Sequence, residues 1–466
     1  MKILHVSAEC YPVAKVGGLA DVVGALPKYQ NNLGVESSVV MPFYNNAFTQ
    51  NHTFETVWSA SVKLDVYHNF RILKLEKSEL GFDLFLVDLP NLLHTQYVYS
   101  HDDTERFIGF QIAVLQWITE KFGVPDIIHC HDHHTGLIPF MMSHSESFSA
   151  MKETPSVFTI HNAQYQGWFS HDKLYLLPEF NFDVVGLLDW DGSVNPLAAA
   201  IKCAWKVTTV SPNYMEELKK EANGLQSLLS HEQNKCSGVL NGIDTYVWNP
   251  ETDPFIVKNY GVSNRSSGKK ANKKWLCETY GFDRNAPLFV FIGRLVGEKG
   301  ADLFPDIFRQ ALESAKISIL LLGSGNEVIE SNLKPLTNDF EGSYNQMIGY
   351  NEELSHRMYA GADFLLMPSR VEPCGLNQLY ALRYGTIPIV SSVGGLKDTV
   401  VDIDDGGFGI RHENATVEAV CEAIGRATLF YRDEENFQRI GKSIMKIDHS
   451  WTVSAQTYIN LYESIK

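Results

Sequence analysis

The sequence predicts an α/β protein built from two doubly wound units, and three observations point there. Short apolar runs rich in β-branched residues recur along the chain. Longer segments with helical spacing lie between many of them, the signature of parallel sheets with crossover helices. The strand-and-helix pattern then starts afresh near residue 287. A chain of 466 residues also exceeds one ordinary core and fits two domains of about 200–250 residues each.

In the first unit the buried-strand runs are KILHVSA (2–8), SSVVMPF (37–43), FDLFLVDL (82–89), DIIHCH (126–131), SVFTIHN (156–162) and KVTTVSP (206–212). RFIGFQIAVLQWITEKF (106–122) carries apolar residues at helical spacing. In the second unit the runs are PLFVFIGRL (287–295), ISILLLGSG (317–325), DFLLMPS (363–369) and TIPIVSS (386–392), with LFPDIFRQALESA (303–315) as a helix. The joint is expected within 245–285, where NPETDPFIVKNYGVSNRSSGKKANKK is polar, contains Pro and turns basic. The expected domains are therefore 1–245 and 246–450. The amphipathic segment SWTVSAQTYINLYESIK (450–466) is expected as a C-terminal helix, 451–466, returning to the first domain.

Composition narrows the function classes. Apolar residues make up 44% and charged residues 20%, as in an ordinary globular protein. The net charge of −16 supplies no long-range attraction for phosphate, so neither nucleic acid nor an anionic membrane is an expected partner. The seven cysteines include no C-x-x-C pair and are odd in number. That argues against a disulfide framework or zinc ribbon and suits a reducing, cytoplasmic setting. The start MKILHVSAEC lacks the apolar core of a signal peptide, and no apolar run is long enough to span a membrane.

In open α/β sheets ligands sit beyond the carboxyl ends of the strands, so the residues after each strand are the ones to weigh. After the first run, Lys15 precedes Gly17-Gly18 and a helical pattern from Leu19. A close backbone approach, a helix N-terminus and a full positive charge together suit a phosphate or diphosphate. A plain loop with a solvated lysine also fits, and the pattern is not G-x-G-x-x-G. In FVFIGRLVGEKGAD (289–302), Arg294 and Lys299 follow a strand between Gly293 and Gly300. They suit a phosphate too; the alternative is a surface salt-bridge pair. In MPSRVEPCGLNQLYALRYG (367–385), Glu372 would face the ligand beside these cations or cap the next helix. Cys374 reads as a small buried residue. SSVGGLKDTV (391–400) repeats the Gly-Gly-Leu-x-Asp pattern of the first loop.

DIIHCHDHHTG (126–136) raises the question of a metal. On a strand His129 and His131 point one way and Cys130 the other, while adjacent His133 and His134 are poorly spaced for one ion. The preferred reading is polar: Asp132, with His161 after the SVFTI run, hydrogen-bonds a hydroxyl-rich ligand.

Seven motifs in order, KVGGLADVVGALP, HDHHTG, TIHNAQYQG, LNGIDTYVWNPETD, GRLVGEKG, EPCGLNQLYALRYG and VGGLKDTV, resemble the bacterial glycogen and plant starch synthase family over nearly the whole chain. The resemblance implies the GT-B fold, two Rossmann-like domains facing across a cleft, with no metal and no cofactor. It implies transfer of glucose, with retention, from ADP-glucose to the non-reducing 4-OH of an α-1,4-glucan such as glycogen. By motif, Lys15, Gly17 and Gly18 would contact the donor diphosphate, as would Arg294 and Lys299. Glu372 would lie near the donor sugar, with Cys374, Gly375 and Leu376 holding its hydroxyls and Asn241 as a further donor contact. His161 would lie close to the anomeric carbon. Asp132, Asp21 and Tyr99 would meet the acceptor. His161, Arg294, Lys299 and Glu372 are the expected catalytic set.

The chain departs from the family pattern at LLHTQYVYSHD around Tyr99, in DGSVNPLAAAIKCAWK (191–206), and at Ser391-Ser392-Val393, where many bacterial members carry Arg-Arg-Thr. Tyr380 stands where related transferases of this fold have a second glutamate, as synthases tend to have. The alternatives are a same-fold enzyme using UDP-glucose or making short maltooligosaccharides, and a silent glucan-binding protein.

Overall fold

The computed structural model describes residues 1–466. Two compact units divide the chain. Unit 1 comprises Met1–Leu240 with Trp451–Lys466, and unit 2 comprises Asn241–Ser450.

Unit 1 is built on a nine-stranded sheet. Its first seven strands are β1 (Lys2–Val6), β2 (Glu36–Pro42), β3 (Phe54–Lys63), β4 (Tyr67–Leu75), β5 (Asp83–Asp88), β6 (Ile127–His131) and β7 (Ser156–Ile160). A separate short hairpin, β8 (Asp189–Trp190) and β9 (Ser193–Val194), precedes β10 (Lys206–Thr209) and β11 (Cys236–Gly238). The sheet order is β11-β10-β7-β6-β1-β2-β5-β4-β3. All pairs are parallel except β3–β4 and β4–β5. The central strands are covered on both faces, which is why KILHV and IIHCH are almost uniformly buried. One of these faces packs under the helices Gly18–Asn32 and Trp451–Glu463, where Ile3, Ile127 and Val157 meet Leu26, Tyr29, Tyr458 and Tyr462.

Unit 2 holds a six-stranded, all-parallel sheet. Its strands are β12 (Leu288–Ile292), β13 (Ser318–Gly323), β14 (Tyr344–Ile348), β15 (Phe364–Met367), β16 (Ile387–Ser391) and β17 (Ile410–His412). Their order is β14-β13-β12-β15-β16-β17. β12 and β15 are neighbours, with Phe289 opposite Phe364, so the loops that follow them emerge side by side.

The structure corrects three expectations. The helix expected over 106–122 is α-helical only from Thr104 to Trp117, and a π-helical turn, Ile118–Phe122, completes it before Gly123. The first unit stops at Leu240 rather than 245, because the following residues join unit 2: the Ile243 N–H donates to His449 O at 2.8 Å. The basic stretch read as an interdomain joint is a structural part of unit 2. It contains a helix, Arg265–Tyr280. The buried Tyr260 hydroxyl donates to Tyr384 O at 2.8 Å, and Arg265 donates to Gly385 O at 2.5 Å. Lys269 reaches Thr386 Oγ1 at 2.5 Å, and Lys273 pairs with Asp363 at 2.6 Å. Those cations are buried because backbone carbonyls and one carboxylate meet them, a condition local composition does not reveal. β3, β4, β8, β9, β11, β14 and β17 were not foreseen; β8, β9, β11 and β17 are very short, β14 is a sheet edge, and much of β3 is exposed.

Candidate active site

In unit 1 the loop after β1 leads into the helix Gly18–Asn32 with Gly17 at its N-cap. Gly17 and Gly18 are exposed, and a Cβ on either would meet nothing within 4 Å. Lys15 Nζ lies 2.7 Å from Asp21 Oδ1 on the first helical turn. Sequence reading assigned these two to donor and acceptor, but the fold pairs them. Glu9 organises the loop: its Oε2 accepts from the N–H groups of Val16 at 2.6 Å and Gly17 at 3.0 Å. The Tyr99 hydroxyl donates to Glu9 Oε1 in a short bond. Glu9 went unnoticed in the sequence because it precedes the KVGGLADVVGALP motif, and its contact with Tyr99 spans 90 residues.

Asp132 follows β6 with φ 55° and ψ 175°. That backbone region is natural to glycine and costs another residue about 1–3 kcal/mol. The carboxylate justifies the geometry locally, because Oδ1 accepts from His161 N–H at 2.7 Å. Burial pushes the Asp132 carboxyl up to about 7, against the pull of the His161 and Asn162 N–H groups. His161 follows β7 and is itself nearly buried, with its pKa pushed down to about 3 by burial. Its Nε2 lies 3.0 Å from His131 Nδ1.

His133 and His134 line a cleft of about 610 Å³ within unit 1, together with Gln164, Tyr165, Trp168 and Lys173. His134 stacks on Tyr99, ring centroids 4.6 Å apart. His133 packs on Gly167, where a Cβ would sit 2.2 Å from its Cδ2. Tyr165 and Trp168 are 61% and 69% exposed, an apolar platform amid polar groups; neither stood out in the sequence.

The ring nitrogens of His5, His129 and His131 lie close enough together to hold a metal ion. The six nitrogens are already committed. His5 bonds Gln30 and His131, His129 bonds Tyr462 and Thr159, and His131 bonds His5 and His161. A metal would have to displace this network from wholly buried rings, so the trio does not fit one.

In unit 2 the loops after β12 and β15 are stitched together. Arg370 N–H donates to Glu298 O at 2.8 Å, and Arg370 pairs with Asp302 at 2.6 Å. Gly300 allows this approach, since a Cβ there would sit 2.3 Å from Pro368 O. The result places Lys299 Nζ 2.6 Å from Glu372 Oε2, which also accepts from Ser369 Oγ at 3.1 Å. Arg294 is 70% exposed and reaches Glu298 at 3.5 Å; its guanidinium does not join the Lys299–Glu372 pair.

Cys374, Gly375 and Leu376 lead into the helix Asn377–Arg383. The Gln378 amide donates to Cys374 O at 3.1 Å and Gly375 O at 3.0 Å. Burial pushes the Cys374 thiol up to about 12, with the Asn241 backbone N–H beside the sulfur. A neutral thiol suits packing, not nucleophilic attack. Asn241 Oδ1 is buried without a hydrogen-bond partner, so a donor from solvent or a ligand would satisfy it.

Residues 2–231 match the family model described as starch synthase catalytic domain, and residues 277–442 match glycosyl transferases group 1. Over its whole length the chain is 52% identical to a glycogen synthase of Flavobacterium johnsoniae, covering 99% of that protein. The chain belongs to the glycogen and starch synthase family of glycosyltransferases. This synthase-family chain is also 36% identical to a glycogen synthase of Rhodospirillum rubrum, covering 98% of it. Among solved structures it resembles the catalytic domain of starch synthase IV from Arabidopsis thaliana bound to ADP and acarbose. The TM-score is 0.86 at 32% identity, covering 100% of this chain and 99% of that one. Sucrose-phosphate synthase from Thermosynechococcus elongatus shares the fold alone, with TM-score 0.63 at 16% identity and coverage of 100% of this chain and 98% of that one. The fold of the synthase-family chain is GT-B.

Proposed function

We propose that this chain is a glycogen synthase that moves glucose from ADP-glucose to the non-reducing 4-OH of an α-1,4-glucan, with retention of configuration. The observation that carries the reading is the Lys299–Glu372 pair, joined across the loops after β12 and β15, set in a chain 52% identical end to end to a glycogen synthase.

The chemistry explains the parts. As the bond from C1 to the diphosphate oxygen breaks, negative charge grows on the leaving diphosphate. Lys299 and Arg294 follow a parallel strand at its carboxyl end, where preorganised cations stabilise that charge. Glu372, held by Lys299 and Ser369, lies where it orients the glucosyl group, with Cys374, Gly375 and Leu376 presenting backbone to its hydroxyls. Asn241 Oδ1 takes a donor hydrogen bond. Lys15 and the first-turn N–H groups beyond Gly17 suit a diphosphate too; the Gly17 N–H itself is already held by Glu9.

His161 lies beside the reacting carbon, and Asp132, Asp21 and Tyr99 serve the acceptor. The cleft with Trp168 and Tyr165 offers aromatic faces to sugar rings, which present C–H groups on one side and hydroxyls at the rim. The committed histidine nitrogens support a reaction without a metal. No helix is long and apolar enough to cross a membrane and all seven cysteines are free, which supports a cytoplasmic location.

The test is glucose transfer to glycogen by the purified chain with EDTA present, comparing ADP-glucose with UDP-glucose. Robust transfer from ADP-glucose is expected. Transfer only from UDP-glucose would reassign the donor. No transfer from either would remove the synthase reading and favour a silent glucan-binding protein.

A further inference from the structure

A column of polar side chains runs through the covered face of the unit 1 sheet. Gln30 Oε1 lies 2.8 Å from His5 Nε2, His5 Nδ1 lies 3.0 Å from His131 Nε2, and His131 Nδ1 lies 3.0 Å from His161 Nε2. Gln30, His5 and His131 are wholly buried. The sheet register explains the alignment: His5 is opposite His129 on β6, and His131 is opposite Thr159 on β7. Residues two apart on a strand share a face, so His129 and His131 lie on one face with His5.

Each ring in such a chain is constrained by its neighbour. A neutral imidazole has one N–H and one lone pair. Burial drives the pKa of His5 down to about 4 and of His161 to about 3, and that of His131 well below its ordinary value, so all three rings are neutral near pH 7. Three neutral rings bonded nitrogen to nitrogen then have only two consistent settings: every Nε2 protonated, or every Nδ1 protonated. The end group chooses between them. Gln30 Oε1 accepts from Ser37 Oγ at 2.7 Å as well as facing His5, while Gln30 Nε2 donates to the Tyr462 hydroxyl at 3.2 Å. An amide oxygen has two lone pairs for these two short bonds. It demands a proton on His5 Nε2, hence on His131 Nε2, hence on His161 Nε2. The Nδ1 of His161 has no partner within the chain and is not sealed from solvent.

We propose that Gln30, through His5 and His131, is a positioning device that sets the tautomer of His161, leaving its Nδ1 as a hydrogen-bond acceptor for a sugar hydroxyl. The proposal rests on the reading of His161 as a group beside the transferred glucose, and it adds which nitrogen acts and what decides it. The sugar must be the donor in that bond. The Tyr462 hydroxyl ties the C-terminal helix into the same device through Gln30, and it also bonds His129 Nδ1 at 2.7 Å.

The experiment is nitrogen NMR of the full chain labelled with ¹⁵N-histidine, with His161 assigned by its loss in His161→Gln. The expected spectrum shows an unprotonated Nδ1 and a protonated Nε2 on His161. A protonated Nδ1 would mean that the Gln30 amide is reversed, and would overturn the proposal. Gln30→Met removes the end acceptor; His161 is then expected to populate both tautomers, and turnover to fall about tenfold with little change in donor KM. Gln30→Glu restores an acceptor and is expected to restore the single tautomer. An unchanged His161 tautomer in folded Gln30→Met overturns the relay. Full turnover in His161→Ala, with the expected tautomer seen in the parent chain, instead overturns the reading of His161 as a site group.

Discussion

Two loops of this protein share the letters Val-Gly-Gly-Leu-x-Asp, at 16–21 and 393–398, and use them differently. In the first, Gly17 and Gly18 are exposed with open space where a side chain would be. In the second, both glycines are buried. A Cβ on Gly394 would sit 2.1 Å from Glu372 O, with φ at +43°, and one on Gly395 would sit 2.2 Å from Cys374 O. The Gly395 N–H also donates to Glu372 O at 3.1 Å. The first pair leaves room for a ligand, and the second leaves room for the protein's own Glu372 loop. Charge follows the same division. Lys15 meets Asp21 in the open, whereas Lys299 meets a largely buried Glu372. One six-residue pattern therefore lies open in one unit and is packed in the other.

Breaking the cation pairs should show the largest difference. Lys299→Ala is expected to lower turnover roughly 10²-fold or more, the scale for losing one preorganised charge at a leaving group. It also strands the buried Glu372. Lys15→Ala, at an exposed pair, and Arg294→Ala are each expected to cost at least about tenfold. Turnover numbers for the three variants, with circular dichroism to confirm the fold, test this; near-normal turnover in Lys299→Ala or Arg294→Ala would remove that residue's phosphate role.

The glycines themselves come next. Gly395→Ala forces backbone apart and should destabilise the chain by about 1–3 kcal/mol, as overpacking does, read as a lower denaturant midpoint and reduced activity. Gly17→Ala should leave stability within about 0.5 kcal/mol while raising the KM for ADP-glucose several-fold. Equal losses of stability in the two variants would erase the contrast.

The smallest expected effect is on pH. Unit 1 holds buried rings, among them His5 and His161, with pKa values lowered from 6.5 to about 4 and about 3. Below 6.5 the unfolded chain binds protons that the folded chain refuses, so stability should fall as pH drops through that range. Asp132 acts oppositely: its pKa, raised from 3.8 to about 7, favours the folded state at low pH. The histidines are more numerous and should prevail. Hydrogen exchange at about pH 5 against pH 7 should therefore show unit 1 loosening before unit 2, where fewer such rings lie. Uniform protection in both units would remove the distinction.

Much was legible beforehand because it is written in local pattern. The apolar runs of β1, β2, β5, β6, β7, β12, β13, β15 and β16 are short, β-branched and bounded, and burial on both faces makes such runs continuous. Asp132 and His161 stood out because each directly follows a strand, and Arg294, Lys299 and Glu372 because they lie in the loops after β12 and β15. The rest depended on partners distant in sequence. Glu9 matters through Tyr99, Gln30 through His5 and Tyr462, and Arg265 through Gly385. The stretch 245–285 looked like a linker because it is polar, contains Pro and turns basic.

By itself, then, the sequence determined the alternation of strands and helices, the two units and the charged residues at strand ends, because these follow from periodicity and from the carboxyl-end rule for open sheets. Only the tertiary structure decided which polar groups are paired. It set Lys15 on Asp21, sealed Lys273 on Asp363, and closed the histidines of HCHDHH into hydrogen bonds rather than around an ion. The physical reason is that burying a polar group is tolerable only when a partner meets it, and the partner comes from whichever strand or helix the fold brings alongside.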